Sequence, residues 1–395
     1  MSTFEKPASS ADKFFTVVNE LRPPFVIQLL VEGDGAPDPD ALYDALEAST
    51  AVNPGASLRI EQGERDAKWV IGPPPTLTVL EAPEFEAAHG DDVPFLMWPM
   101  DARVGPTCEL LSVQGKHKHY LIFRALHAVM DGQGTLAWAR DVMRCLRGEA
   151  PLGHESPLSV DDLVLRNPKQ LKRRPYPGPD ALHPFGPPNP QPIWSFHWRR
   201  VVADRPLESL ATGRIAVALA EQARAGSDEG IVRINLPTDL RSHCPEERTT
   251  GNMFASLYVE VPPGATPEAI AIKVVQLLYK HEGIRPVGLY STDKSGSLDA
   301  IRVKAYWDLH QLHATGLYCF SATLSHLGVL QGALLSGPGF TATGAFFVPL
   351  VGDSGCVVSL NGFDDHTEVA VGLSDRFQRD GALDRLAELI GAAVR

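Results

Sequence analysis

Residues 120–135, YLIFRALHAVMDGQGT, constrain the fold more than any other stretch of the chain. Tyr120 to Ala125 is an apolar run of strand formers and reads as a buried strand. Leu126 to Gly134 is a tight connection that carries His127, Asp131, Gly132 and Gly134. Thr135 to Arg147 then sets Leu136, Trp138, Val142, Met143 and Leu146 at roughly helical spacing. An imidazole therefore stands where a buried strand hands over to a helix. Strand ends are rigid and the loops beside them can face a cleft, which suits catalytic groups.

The residue types give this spacing a chemical reason. Histidine is the side chain best matched to proton transfer near neutral pH. Asp131, four residues on, can hold the loop through an ion pair, accept backbone N–H bonds, or cap the following helix. Gly132 and Gly134 allow a bend that a Cβ would obstruct. The competing reading is a satisfied histidine at the edge of a core, with Asp131 acting only as the cap.

HAVMDG resembles the HHxxxDG signature of the condensation-domain and chloramphenicol-acetyltransferase-like superfamily. That group includes nonribosomal peptide condensation domains, polyketide-associated acyltransferases, wax-ester/diacylglycerol acyltransferases and the plant HxxxD acyltransferases. The second histidine of the signature falls on His127, its aspartate on Asp131 and its glycine on Gly132. The first histidine is Leu126 here, as it also is absent from the HxxxD members, which weakens an assignment to peptide-bond formation but not the catalytic expectation. A second block, about 110 residues later, resembles the family's "P…DLR…GN" pattern through Pro237, Asp239, Leu240, Arg241, Gly251 and Asn252. The opening strand, helix and "LRI" segment, and the SHLG block at residues 325–328 that precedes a crossover strand, resemble the family as well.

The resemblance implies an α/β (α+β) fold of two chloramphenicol-acetyltransferase-like lobes. Each would be a mainly antiparallel sheet covered by helices, the pair arranged as a V with the site between them. It implies acyl transfer from a thioester, either acyl-CoA or an acyl or peptidyl carrier protein, to a hydroxyl or amine of a small-molecule acceptor, in natural-product biosynthesis. His127 would be the general base, and Gly132 would offer a backbone N–H to the developing oxyanion. Asp131 would shape the loop, with Arg241 as its partner. Met130, Ser325 and Asn361 are expected on the wall of a channel past His127. No metal or bound cofactor is required, the acyl-CoA or phosphopantetheine-linked donor being a substrate. Two alternatives use the same scaffold: a cyclisation or other condensation with His127 as base, and a non-catalytic homologue that recruits a carrier protein.

Length and composition narrow the setting. A chain of 395 residues accommodates two domains, and 44% apolar with 21% charged residues fits a globular protein. The formal charge of −12 argues against nucleic-acid binding. No apolar run approaches the ~18 residues of a membrane span. Five widely spaced cysteines without a CxxC pair, and an N-terminus without an apolar signal core, point to a cytoplasmic protein.

Eight prolines between residues 175 and 192 mark a stiff linker between an N-terminal lobe, 1–174, and a C-terminal lobe, 193–395. Lys172, Arg173 and Arg174 just before it read first as solvated charge and second as a contact for an acidic carrier or a coenzyme A phosphate. With no adenylation or carrier domain evident in the sequence, the chain is expected to be free-standing and to meet its donor in trans. Phe346–Leu350 and Cys356–Leu360 read as paired strands, and a final helix is expected from about Gly381 to Val394.

Overall fold

A computed structural model describes residues 4–63, 66–90, 93–167, 177–189, 196–226, 230–279, 284–286, 297–352 and 355–395. The first half contributes strands β1 (Glu5–Pro7), β2 (Val26–Asp34), β3 (Leu58–Gln62), β4 (Ala67–Ile71), β5 (Thr76–Glu81), β6 (Cys108–Gln114) and β7 (His119–Leu126). Its helices are α1 (Ser10–Leu21), α2 (Pro39–Val52), α3 (Gly132–Leu146) and α4 (Val160–Arg166). In the second half lie β8 (Phe196–Ala203), β9 (Arg233–Asp239), β10 (Phe254–Glu260), β11 (Ile284–Pro286), β12 (Ala322–Leu330), β13 (Thr341–Phe347), β14 (Cys356–Phe363) and β15 (His366–Ser374). The helices there are α5 (Ala211–Arg224), α6 (Pro267–Tyr279), α7 (Leu298–Thr315), α8 (Gly332–Leu335) and α9 (Ala382–Val394).

Two large sheets carry the fold. The first has the order β13-β2-β7-β6-β5, the second β11-β10-β9-β12-β14-β15-β8, and a small third sheet is β1-β4-β3. All eight residues of β7 are buried, because β2 and β6 flank it and both its faces are covered. The expected hairpin into the His127 loop is present, with Leu111 opposite Ile122. On one face, Phe123 meets the indole of Trp138 from α3 edge-on at 5.6 Å, so the strand and the helix after it close over one core.

Helix α3 starts three residues earlier than the apolar spacing suggests. Asp131 caps it, accepting from Gly134 N at 2.7 Å, so Gly132 and Gln133 fall inside the first turn. Gly134 is required by a close approach: a Cβ there would stand 1.9 Å from the carbonyl oxygen of Thr250, in the second half of the chain.

One strand departs from the expected division of the chain. From the sequence, Phe346–Leu350 reads as a strand of the second lobe paired with Cys356–Leu360. Instead β13 runs antiparallel to β2 at the edge of the first sheet, with Phe346 opposite Leu30, while β14 lies between β12 and β15. Phe346 and Phe347 are buried where they complete the first sheet's hydrophobic faces, which local sequence cannot announce. The two sheets are also tied by charge. Arg200 on β8 reaches Glu32 on β2 at 2.8 Å and Glu368 on β15 at 2.6 Å.

Of the proline-rich segment, residues 177–189 are described, and they pack on the second half through backbone bonds from Ala181 N to Tyr318 O and from Leu182 N to Ile231 O, both 2.8 Å. Lys172, Arg173 and Arg174 lie outside the described residues. Among the described residues no helix is long and apolar enough to cross a membrane.

Candidate active site

His127 is the first residue beyond β7, and the backbone fixes it on both sides. Its N–H donates to Phe25 O at 3.1 Å, and its carbonyl accepts from Asn252 Nδ2 at 2.8 Å. The turn that follows brings Met130 O to 3.2 Å from His127 Nδ1. A carbonyl can only accept, so Nδ1 carries the proton and Nε2 keeps its lone pair.

The ring is packed among aromatics. Phe15 stacks on it at 4.0 Å with 12° between planes, and Phe25 and Phe254 lie at 5.6 and 5.7 Å. Burial in this box pushes the imidazole below its ordinary pKa, and the nearby Asp131 charge only partly opposes that. The imidazole is accordingly neutral at pH 7, with a lone pair available.

Asp131 is buried and accepts from four donors. Gly134 N and Arg241 Nη2 meet Oδ1 at 2.7 and 2.9 Å; Met253 N and Arg241 Nη1 meet Oδ2 at 2.8 and 3.1 Å. The alternatives left open by the sequence coexist: the carboxylate caps α3, binds a backbone N–H of the second half, and pairs with a guanidinium two-pronged. Arg241 is held further by Asp239 Oδ1 at 2.8 Å, Gly251 O at 2.8 Å and Thr249 O at 3.2 Å. Burial opposes its charge, but the two carboxylates more than offset this and raise its pKa. Asp131 thus fixes where the loop sits against the second half.

Asn252 completes that clamp. Besides His127 O, its Nδ2 meets Asp12 Oδ1 at 3.0 Å. Asp12 is buried on α1, and its other oxygen accepts from Trp69 Nε1 and Ser9 N, each at 3.0 Å. One amide therefore joins the helix that bears Phe15 to the loop that bears His127.

A cavity of about 240 Å³ opens beside the imidazole. One wall is apolar, made by Phe14, Phe15 and Val18 of α1 with Phe25 and Ile27. Its floor is one face of the second sheet, where alternate residues of β10, β9, β12 and β14 point inward. Gly132 lies on its rim, and a Cβ at that position would come within 3.0 Å of Leu327 Cδ2. As the first residue of α3, Gly132 presents an N–H that has no acceptor within the helix, at the positive end of the helix dipole.

His127, Asp131, Gly132 and Ser325 all line this cavity, and Arg241 stands behind Asp131. Met130 and Asn361 do not. The Met130 side chain is fully buried and its Cε sits 3.7 Å from where a Gly55 Cβ would be, on the core side of the turn. What Met130 gives the site is its carbonyl. Asn361 shares a face of β14 with Val357 and Ser359, but β13 lies over it and its Nδ2 donates to Ala345 O at 2.9 Å. Asn361→Ala should therefore lower stability by ~1–3 kcal/mol, the cost of leaving a buried acceptor unpaired, and leave substrate KM unchanged. Denaturant unfolding together with steady-state kinetics checks both parts, and an altered KM at wild-type stability would return Asn361 to the channel wall.

Reading the sequence missed the aromatic box and the Asp12 anchor. The Phe14-Phe15 doublet with Val18 was the available signal, since that spacing puts an apolar stripe on one face of a helix. Nothing local links it to a histidine 112 positions later, the separation of Phe15 from His127.

Neither the family models nor the curated proteins contain a match to this sequence. Solved structures do match it. The condensation domain from Monacolin K polyketide synthase MokA is 13% identical, over 100% of this chain and 97% of that one, with a TM-score of 0.67. The first condensation domain of the calcium-dependent antibiotic synthetase, in complex with substrate analogue 3a, is 13% identical over 100% and 96%, with a TM-score of 0.71. A mutant starter condensation domain of rhizomide synthetase RzmA, in complex with C8-CoA, is 15% identical over 98% and 94%, with a TM-score of 0.67. With both large sheets, the crossover strand and the histidine loop in place along the whole chain, this protein has the condensation-domain fold.

Proposed function

We propose that the protein is a condensation-domain-like acyltransferase that moves an acyl group from a thioester to a hydroxyl or amine, with His127 as general base. The observation that carries this reading is the state of His127: a neutral imidazole on the cavity wall, its Nδ1–H bonded to Met130 O and its Nε2 left as acceptor. In the reaction the acceptor's O–H or N–H gives its proton to Nε2 as the oxygen or nitrogen attacks the thioester carbonyl. The tetrahedral oxyanion forms near the Gly132 N–H at the start of α3. It collapses with cleavage of the C–S bond, and the imidazolium returns the proton to the departing thiolate. Base assistance of this kind is worth ~10²- to 10⁴-fold, and alignment of the two substrates adds to it.

Asp131 and Arg241 act through position, since both side chains are spent on fixing the loop. The thioester is acyl-CoA or a pantetheine-bearing carrier protein; the structural neighbour bound to C8-CoA supports the former chemistry for a fold of this kind. Natural-product synthesis is the setting that the synthetase neighbours suggest. Incubating purified protein with a panel of acyl-CoA thioesters and nucleophilic acceptors, then measuring acylated acceptor and free thiol by mass spectrometry and thiol titration, tests the reading. Equal amounts of the two products are expected. Thiol release without acylated acceptor, or no release from any donor, would overturn it.

A further inference from the structure

The floor of the cavity contains buried polar atoms that the protein does not satisfy. Asn235 on β9 and Ser359 on β14 both line the cavity and are only 8% and 4% exposed. Asn235 Nδ2 donates to Thr323 Oγ1 at 3.3 Å, but Asn235 Oδ1 and Ser359 Oγ have no hydrogen-bond partner among the described residues. An unpaired buried acceptor or hydroxyl costs stability, so such groups are usually matched by something that binds.

Strand register puts these atoms in one surface. Asn235 is opposite Thr323, and Ser325 is opposite Ser359, with β12 between β9 and β14. All four are on the side that faces the cavity, forming a polar band across the sheet. Its two unsatisfied ends are two strands apart and two residues out of step, about 12 Å. A single small group cannot meet both, whereas an extended segment can. The band is also neutral. The carboxylates nearest the cavity, Asp131 and Asp239, are both taken up by Arg241. The wall formed by α1 and β2 is apolar, so the cavity has one side for hydrocarbon and one for uncharged hydrogen-bonding groups.

The geometry points to a subsite, built on Asn235 and Ser359, for an extended, uncharged substrate segment that offers N–H or O–H to Asn235 Oδ1 and a second polar group to Ser359 Oγ. This rests on the acyl-transfer reading for the identity of the substrates, which supply that chemistry from two sources. The amides and hydroxyl of a donor's pantetheine arm are one, and an amide- or hydroxyl-bearing acceptor is the other.

Binding decides the matter without requiring turnover. Wild type, Asn235→Leu, Ser359→Ala and the double variant are titrated with octanoyl-CoA, D-pantetheine and an armless amide, N-acetylglycylglycinamide, by calorimetry and ligand-observed NMR. Each single substitution should weaken the relevant probe ~2- to 10-fold, with the larger loss in the double variant. The free Ser359→Ala protein should melt at or above the wild-type temperature, because an unpaired hydroxyl has been removed, whereas Asn235→Leu also gives up the 3.3 Å bond to Thr323 Oγ1. Losses confined to octanoyl-CoA and D-pantetheine assign the segment to the donor's arm; a loss confined to the amide assigns it to the acceptor. Affinities equal to wild type for all three probes, a wild type that binds none of them, or a marked fall in the melting temperature of Ser359→Ala overturns the subsite. Because binding is read without turnover, absent catalysis and an absent subsite give different results.

Discussion

Replacing His127 with alanine is expected to lower turnover by at least ~10²-fold while the protein stays folded. The loss follows from the removal of a cavity group whose Nε2 lone pair is set up by a bond on the far side of its own ring, from Nδ1 to Met130 O at 3.2 Å. Folding should survive because the ring forms part of the cavity wall, so its removal enlarges an existing space. The stack on Phe15 is lost, but the backbone bonds of residue 127 to Phe25 and Asn252 do not depend on the side chain. Steady-state kinetics with far-UV circular dichroism checks both parts. A folded variant with wild-type turnover would remove His127 from the chemistry.

Asp131→Asn should act through stability instead, lowering it by about 3 kcal/mol and taking activity down with it. Four donors converge on the carboxylate. An asparagine keeps one acceptor oxygen. If that oxygen retains Gly134 N and Arg241 Nη2, the new NH₂ faces Met253 N and Arg241 Nη1, setting donor against donor twice. Asp239 still partners Arg241, which places the cost at the lower end for a broken buried pair. Chemical denaturation measures the change. A variant as stable as wild type yet inactive would move Asp131 from positioning the loop into the reaction.

The parts of this fold written in local sequence are those whose cause is local. The β6–β7 hairpin, the strand into His127 and the last helix follow from apolar period, although Gly381 stands at that helix's N-terminus without a side-chain cap. The Asp131–Arg241 contact was reachable because each residue sits in its own recognisable motif, although 110 positions separate them. Met130 and Asn361 show where such reading stops. Adjacency to the histidine says nothing about which way a turn points Met130, and membership of a strand face does not reveal that β13 crosses above Asn361. The same gap hid the aromatic box, since Phe15, Phe25, His127 and Phe254 meet only when α1 and β10 close on the loop from opposite halves of the chain. Asp12 closes the capping box of α1 with Ser9, and its other oxygen anchors Asn252, a partner 240 positions away that no local pattern marks.

The pH dependence of kcat/KM, compared between wild type and His127→Ala, tests the central claim most directly. A base must be unprotonated to act, and burial among the phenylalanines disfavours the charged imidazolium. The acid limb of the wild-type profile should therefore have its midpoint below the ordinary imidazole value of about 6.5. That limb should vanish from the residual activity of His127→Ala. A wild-type midpoint above about 6.5, or a limb that persists unchanged in the alanine variant, would contradict the assignment of His127 as the general base.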